Sequence, residues 1–276
     1  MSHGPQHQLI LARLTYLIAD YFREKQMPII KRADQVVGDR YPGIRRHALT
    51  GASTGSTMLH VGDLTYAPGS VVPYHIHPAA EETQYMIEGE LECWYDGMRF
   101  VIREGDCVLS PAGVPHGFVN RSKKPARQLT VFPMINPVTN HVLDQKAEPK
   151  LVDGIPEKFV AFRSKMQAYE FRPGIMRYDM VGDFRGAKST YFGELIFSPG
   201  AVAPNHYHPA HEESMFILKG ALNAVYGKQD NIPLQASDMF MCEKAVRHGV
   251  FNGSGDTAHL LAIHPVLNPP PRIDVP

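Results

Sequence analysis

The chain has little cysteine, little tryptophan and no surplus of charge. Its three cysteines, Cys93, Cys107 and Cys242, lie far apart, and no CxxC pair occurs. That argues against a disulfide framework and against a thiolate zinc site, and leaves reduced thiols as the expectation. Lys+Arg and Asp+Glu both number 28. A protein that grips nucleic acid by its phosphates needs a basic excess to displace counterions, so no nucleic-acid partner is expected. No long apolar run is present either. The stretch Leu9 to Phe22 is interrupted by Arg13 and Asp20, with no basic segment before it and no small-residue cleavage site after it. It is too short and too charged to span a bilayer, and it does not read as a leader. A cytoplasmic location without a membrane partner is the expectation. Leu9, Ile10, Leu14, Leu17, Ile18 and Tyr21 instead form the stripe of an amphipathic helix, packed on its own domain or on a second subunit.

Histidine is abundant, with 14 residues, and glycine and proline number 23 each. So many turn formers suit a β protein better than a helix bundle. An internal repeat organises them. Pro42-Gly43-Ile44 recurs as Pro173-Gly174-Ile175, Gly62-Asp63-Leu64 as Gly193-Glu194-Leu195, and His75-x-His77-Pro78 as His206-x-His208-Pro209, all at an offset of 131. Beyond Gly220 the offset becomes 132: His116-Gly117 maps to His248-Gly249 and Asn136-Pro137 to Asn268-Pro269. One residue inserted between Gly220 and Asp238 accounts for the change. The chain therefore divides into an N-terminal helix (1–27), a first domain (28–147) and a second domain (148–276), joined near Ala147–Pro156. Short strand-like runs end at turn signals such as Pro68-Gly69, Asp96-Gly97 and Pro111-Ala112-Gly113. Their spacing predicts an all-β sandwich or barrel rather than βαβ units.

Each repeat places three histidines and a glutamate at ligand-like spacing. Side chains alternate along a strand, so His75 and His77 share a face. Glu82 opens the next strand, and His116 follows a proline-glycine turn. The second repeat offers His206, His208, Glu213 and His248. Three imidazoles and one carboxylate suit a divalent first-row metal, whether Fe, Mn, Ni, Cu, Co or Zn, with one or two positions open.

These residues resemble the two motifs of the cupin superfamily, and their duplication resembles a bicupin. The first motif, G-x5-H-x-H-x(3,4)-E-x6-G, is matched by Gly69, His75, His77, Glu82 and Gly89 and again by Gly200, His206, His208, Glu213 and Gly220. The second, G-x5-P-x-G-x2-H-x3-N, is matched by Gly105, Pro111, Gly113, His116 and Asn120. In the second repeat only His248 and Asn252 of that motif remain. Ser237, Glu243 and Ala245 replace the two glycines and the proline, which weakens the expected turn before His248. The resemblance implies two tandem double-stranded β-helix (jelly-roll) barrels with a metal in each mouth, one or two per chain. Motif spacing favours Glu82 and Glu213 as ligands and leaves Glu81 and Glu212 solvated or supporting a ligand.

Strand alternation from Glu82 points Gln84 and Met86 inward, and alternation from Glu213 points Met215 and Ile217 inward. Phe118 and Val250 follow the third histidines. The amide of Gln84 favours the first domain as the main catalytic site, with Glu82, Gln84, Glu213 and His211 as candidate catalytic groups. His211 is expected at the surface and His264 in the core. His3, His7, His47, His60, His141 and His259 have no assigned role. Asn120 and Asn252 are expected to brace the turns after the third histidines. The resemblance points first to a dioxygenase acting on a small enolic, phenolic or keto substrate. An oxygen-independent isomerase, lyase or decarboxylase of a keto acid or sugar, with Glu81 or His211 as base, is the alternative. A non-catalytic small-molecule-binding barrel is a third. Homo-oligomerisation is expected.

Overall fold

In the computed structural model, residues 28–275 are described. The helix expected at Leu9–Phe22, with His3 and His7, lies outside them. No helix among the described residues is long and apolar enough to cross a membrane.

The expected strands form, and they pair antiparallel into two barrels, each a large sheet facing a smaller one. In the first barrel the large sheet runs Val160–Ala161, Cys107–Ser110, Glu82–Glu88, Ala126–Phe132, His60–Tyr66, Ile44–Thr50 and Val37–Tyr41. The smaller sheet centres on Val71–Ile76, His116–Val119, Glu90–Tyr95 and Met98–Arg103. The second barrel repeats this plan around Glu213–Lys219 and Ala258–His264 in one sheet and Val202–Tyr207 and His248–Phe251 in the other. The hairpin at Asp96-Gly97 forms with both residues at positive φ, 46° and 79°, as a two-residue turn matched to strand twist requires.

The two barrels exchange their leading strands. Ile29–Lys31 pairs with Asp238–Cys242 of the second barrel, Ile29 opposite Phe240. Val160–Ala161, its counterpart 131 residues on, pairs with Cys107–Ser110 of the first. Val152–Asp153 also joins the first barrel, parallel to Met98–Arg103. Residues 152–161, which fall after the sequence boundary at 148, are therefore bonded to the first barrel's sheets. A sequence repeat records homology, not which sheet a terminal strand enters.

Each barrel has its own apolar interior, and a third cluster fills the seam between the two large sheets. There Ile30, Leu49, Leu59, Val61 and Tyr85 meet Met180, Phe192, Phe216, Met239 and Ile263. Polar ties follow the same pseudo-symmetry. Arg32 and Arg127 both reach the buried Asp63, Arg32 at 2.9 Å. Arg163 and His259 hold Glu194 at 2.9 and 3.0 Å. Cys93, Cys107 and Cys242 are buried, and none is bonded to another.

Candidate metal centres and their pockets

The first site is assembled from three strands. His75 comes from Val71–Ile76, Glu82 from Glu82–Glu88 and His116 from His116–Val119, while His77 follows the first strand directly. The ligand atoms of all four lie within 4.8 Å of one another and all four residues are buried. His116 Nε2 is 2.9 Å from Glu82 Oε2, His77 Nε2 is 3.2 Å from the same oxygen, and the Nε2 atoms of His75 and His77 are 3.1 Å apart. Each ring is fixed from behind. The Nδ1 atoms donate to the carbonyls of Pro73 (2.7 Å), Val138 (2.7 Å) and Val114 (2.9 Å), which turns the three Nε2 atoms toward one another and toward Glu82.

The electrostatics agree with ligation. Burial, aided by His116, pushes His75 down to about 3, so its imidazole is neutral near pH 7. Burial opposes ionisation of Glu82, but hydrogen bonds from His116 and His77 prevail and hold its carboxyl well below the usual range. At His77 burial is likewise overcome by Glu82, which raises that pKa. A divalent ion displaces such a shared proton on binding. The donor set, imidazole nitrogens around one carboxylate, fits a divalent first-row metal.

The second site repeats the set. His206, His208, Glu213 and His248 are buried and mutually within 4.8 Å. Glu213 Oε2 lies 3.1 Å from His208, 3.2 Å from His248 and 3.8 Å from His206. The turn before His248 survives the loss of its glycines. Ser237 and Ala245 adopt the left-handed φ of 76° and 62° where Gly105 and Gly113 have 85° and 78°. Ala245 N donates to His208 O at 2.8 Å, as Gly113 N donates to His77 O at 2.9 Å. The expected weakening is therefore one of energy and not of shape. Asn120 and Asn252 brace the following turns as expected, each donating to two carbonyls and accepting from a serine.

Four side chains depart from expectation. Gln84 is fully buried but does not line the first cavity; its amide pairs with Ser110 Oγ at 3.2 Å. The amide that lines it is Gln128, on the neighbouring strand, bonded to Tyr66 Oη at 2.7 Å. His211 is 1% exposed instead of sitting at the surface, with its Nε2 3.2 Å from His264 Nδ1. Glu81 and Glu212 are buried and bind backbone amides of the opposite barrel. The residue before a metal ligand thus serves the seam, which strand alternation within one repeat could not reveal. His264, expected in the core, is buried, and its Nε2 approaches Glu213 Oε1 at 3.5 Å.

A cavity of about 810 Å³ opens on the first site and one of about 460 Å³ on the second. The first is lined by Arg46, His60, Leu64, Phe118, Gln128 and Phe132, among others. The second has Arg177, Tyr191, Leu195, Val250, Leu260 and His264 at comparable places. His60 and Arg46, given no role from the sequence, are 2.6 Å apart, His60 Nε2 to Arg46 Nη2. Only their strand positions, inward-facing beside Gly62, could have marked them.

Two β-barrels, each with a three-histidine, one-glutamate group in its mouth that can hold a divalent metal, define a two-domain metal-binding β protein. Residues 62–132 and 193–264 each match the Cupin domain family, and the chain belongs to it. It is 31% identical to a germin-like protein (subfamily 2 member 2) of Arabidopsis thaliana over 140 residues, 48% of this chain and 63% of that one. It is 31% identical to quercetin 2,3-dioxygenase of Bacillus subtilis (strain 168) over 104 residues, 37% of this chain and 30% of that one. It is 28% identical to gentisate 1,2-dioxygenase of a Haloferax species over 133 residues, 42% and 37% of the two chains. The matched stretches thus span less than two thirds of these relatives. The crystal structure of Lactobacillus farciminis oxalate decarboxylase in its formate complex superposes with a TM-score of 0.72 at 16% identity, covering 90% of this chain and 88% of that one. At that identity the likeness is one of fold, and it extends over both barrels.

Proposed function

We propose that the protein is a metal-dependent dioxygenase that acts on a small enolic, phenolic or keto substrate in the first barrel. The observation that carries this reading is the convergence of His75, His77, His116 and Glu82, with His75, His77 and Glu82 lining the larger cavity. A pocket of several hundred Å³ accommodates a substrate of that size. Similarity to two named dioxygenases supports the reaction class. A divalent metal held there supplies Lewis acidity and, where it is redox-active, electrons. The protein's part is positional. Backbone carbonyls lock the three imidazoles, and Leu64, Val72, Phe118 and Phe132 give the cavity apolar walls that exclude water. Glu82 lines the cavity as an anion, and we assign it with the three imidazoles to hold the metal, whose Lewis acidity would favour ionisation of an enolic or phenolic hydroxyl bound there.

The oxygen-independent reading had Glu81 and His211 as candidate bases. Glu81 is engaged with the amides of Lys188 and Ser189, and His211 is packed against His264. Neither lines the first cavity. The deciding experiment is metal analysis of the purified protein together with oxygen uptake on flavonol, catechol and keto-enol substrates. Near-stoichiometric Fe, Ni or Cu with substrate-dependent oxygen uptake is expected. Full turnover under strict anaerobiosis would overturn the oxygenase reading in favour of an isomerase or lyase.

A further inference from the structure

The two pockets share their metal ligands but differ in the wall above them. Across the repeat, Tyr66, Gln128 and Thr130 of the first pocket become Phe197, Leu260 and Ala262 in the second. Three polar side chains are replaced by three apolar ones of related shape. The arginine is kept, as Arg46 and Arg177, but its surroundings are not. Arg177 Nε is neutralised by Asp179 at 2.7 Å, and Asp179 also accepts from Tyr191 Oη at 2.7 Å. The residue at the place of Asp179 in the first repeat is Ala48. Among the described residues Arg46 forms no ion pair with a carboxylate; its side-chain partner is the ring of His60.

Arg46 is partly buried. Burial, reinforced by the charge of Arg40 and opposed by that of Glu82, presses its pKa below the usual guanidinium value. His60 offers no compensating charge, since burial and Arg46 push it down to about 4. Glu82 is turned to the imidazoles, and the exposed Asp39 and Arg40 sit together on the adjoining strand. The guanidinium has a cradle: a Cβ at Gly62 would lie 2.5 Å from Arg46 Nε, so the strand is kept bare where the side chain lies. A second unsatisfied group lines the same cavity. Gln128 is fully buried, its Oε1 accepts from Tyr66, and its Nε2 has no hydrogen-bond partner. A partly desolvated cation with no carboxylate in contact and a buried donor without an acceptor are both costly, and one ligand can relieve both.

We propose that Arg46, with Gln128, forms an anion-binding subsite in the first cavity that takes the carboxylate of an acidic substrate, and that the second cavity lacks this subsite. A carboxylate offers two acceptor oxygens to the planar guanidinium fork and lone pairs to spare for an amide N–H. The enolic, phenolic or keto substrate would then be an acid, bound by its carboxylate at Arg46 and presented to the histidine cluster by its other oxygen. This rests on the reading of the first barrel as the substrate-bearing one.

The test is isothermal titration of the metal-loaded protein with benzoate and with its neutral isostere benzamide. Wild type is expected to bind benzoate, and Arg46→Gln to weaken benzoate at least 10-fold while leaving benzamide within 2-fold. Gln128→Leu, which installs the second repeat's residue, should weaken benzoate by a smaller factor. Arg46→Lys should retain part of the affinity, and Arg177→Gln should change nothing. The proposal is overturned if wild type does not bind benzoate or if Arg46→Gln leaves its affinity unchanged, as direct ligation of the metal alone would give. It is also overturned if benzoate and benzamide fall together, or if Arg177→Gln causes an equal loss. Failure of the oxygenase reading is recorded separately. Oxygen uptake on a neutral catechol, independent of Arg46, would sustain that reading while sinking this one, and selective benzoate binding without oxygen uptake would do the reverse.

Discussion

The carboxylate of Glu212 accepts the backbone amide of Leu59 at 2.8 Å, across the seam between the two barrels. The same carboxylate accepts from the amides of Met58 (3.0 Å) and Thr57 (3.1 Å) and from Ser56 Oγ. Glu212 precedes the metal ligand Glu213, and Leu59 precedes His60 in the wall of the first cavity. The mirror contact is Glu81, beside the ligand Glu82, which accepts the amides of Lys188 (2.7 Å) and Ser189 (2.8 Å), just before Tyr191 in the second cavity. Each barrel therefore fixes a loop that leads into the other's pocket.

Removing these clamps strands the buried amide of Leu59 and four part-buried ones. Each N–H left without an acceptor costs about 1–3 kcal/mol. Glu212→Ala, which leaves three amides and two hydroxyls, should lower unfolding free energy by about 3 kcal/mol or more, and Glu81→Ala by about 2 kcal/mol. Urea unfolding of the two variants measures both. A loss under about 1 kcal/mol for Glu212→Ala would mean that water replaces the carboxylate and that the seam is not held there.

Ala245 and Ser237 hold a left-handed backbone without being glycine. That conformation costs an L-residue about 1–2 kcal/mol, while glycine costs about 0.4–1 kcal/mol through the unfolded chain. Ala245→Gly should therefore stabilise the protein by about 0.5–1 kcal/mol net. Gly113→Ala in the first barrel should destabilise it, because the substitution runs the other way at φ 78°. Thermal melts of the pair should move in opposite directions, and a common direction would show that the strain is not borne at this turn.

Much of this was legible in the sequence, and its limits have physical causes. Turn-bounded strand runs and the 131-residue offset of His75-x-His77 pointed to two all-β domains and to both ligand sets, because ligation constrains residue type and spacing together, and the cupin resemblance implied the barrels. The exchange of Ile29–Lys31 and Val160–Ala161 was not legible, since an edge strand of two or three residues carries no label for its partner sheet. Gln84 was placed in the pocket by alternation alone. Its own strand turns it toward Ser110, and the next strand supplies Gln128 instead. Nothing in the sequence marks Arg46, because the exchange of Asp179 for Ala48 matters only where both arginines line a cavity.

The two metal centres should differ in affinity. All three rings of the first set are tied through Nδ1, whereas His208 Nδ1 in the second has no partner. Loss of such an orienting contact typically costs about 10–100-fold in metal affinity. Stepwise EDTA titration with elemental analysis should strip one equivalent well before the other. His206→Ala should abolish the labile equivalent and His75→Ala the tight one. Loss of the tight equivalent in His206→Ala would reverse the order and remove the role given to the Val138 contact.

Acid stability is the sharpest consequence of the extra histidines in the second barrel. Burial pushes His264 down to about 3, with His208 and His211 adding to it and Glu213 opposing, and burial pushes His211 down to about 4. Both imidazoles are thus neutral when folded, while the unfolded chain protonates them near pH 6.5. Between those values the unfolded state binds more protons, so stability is complete above about pH 6.5 and drains away as the pH falls toward the folded pKa. At about 1.4 kcal/mol per pH unit per histidine, the loss from His264 alone between pH 6.5 and 5 is on the order of 2 kcal/mol. The first repeat has Phe132 at the place of His264, where its ring packs on His77 at 4.8 Å between centroids. His264→Phe therefore keeps an aromatic ring while removing the proton site. Urea unfolding of chelator-treated protein at pH 7 and pH 5 should show a smaller acid loss in His264→Phe than in wild type. An unchanged loss would place the acid sensitivity elsewhere and mean that His264 is protonated in the folded state, paired with Glu213.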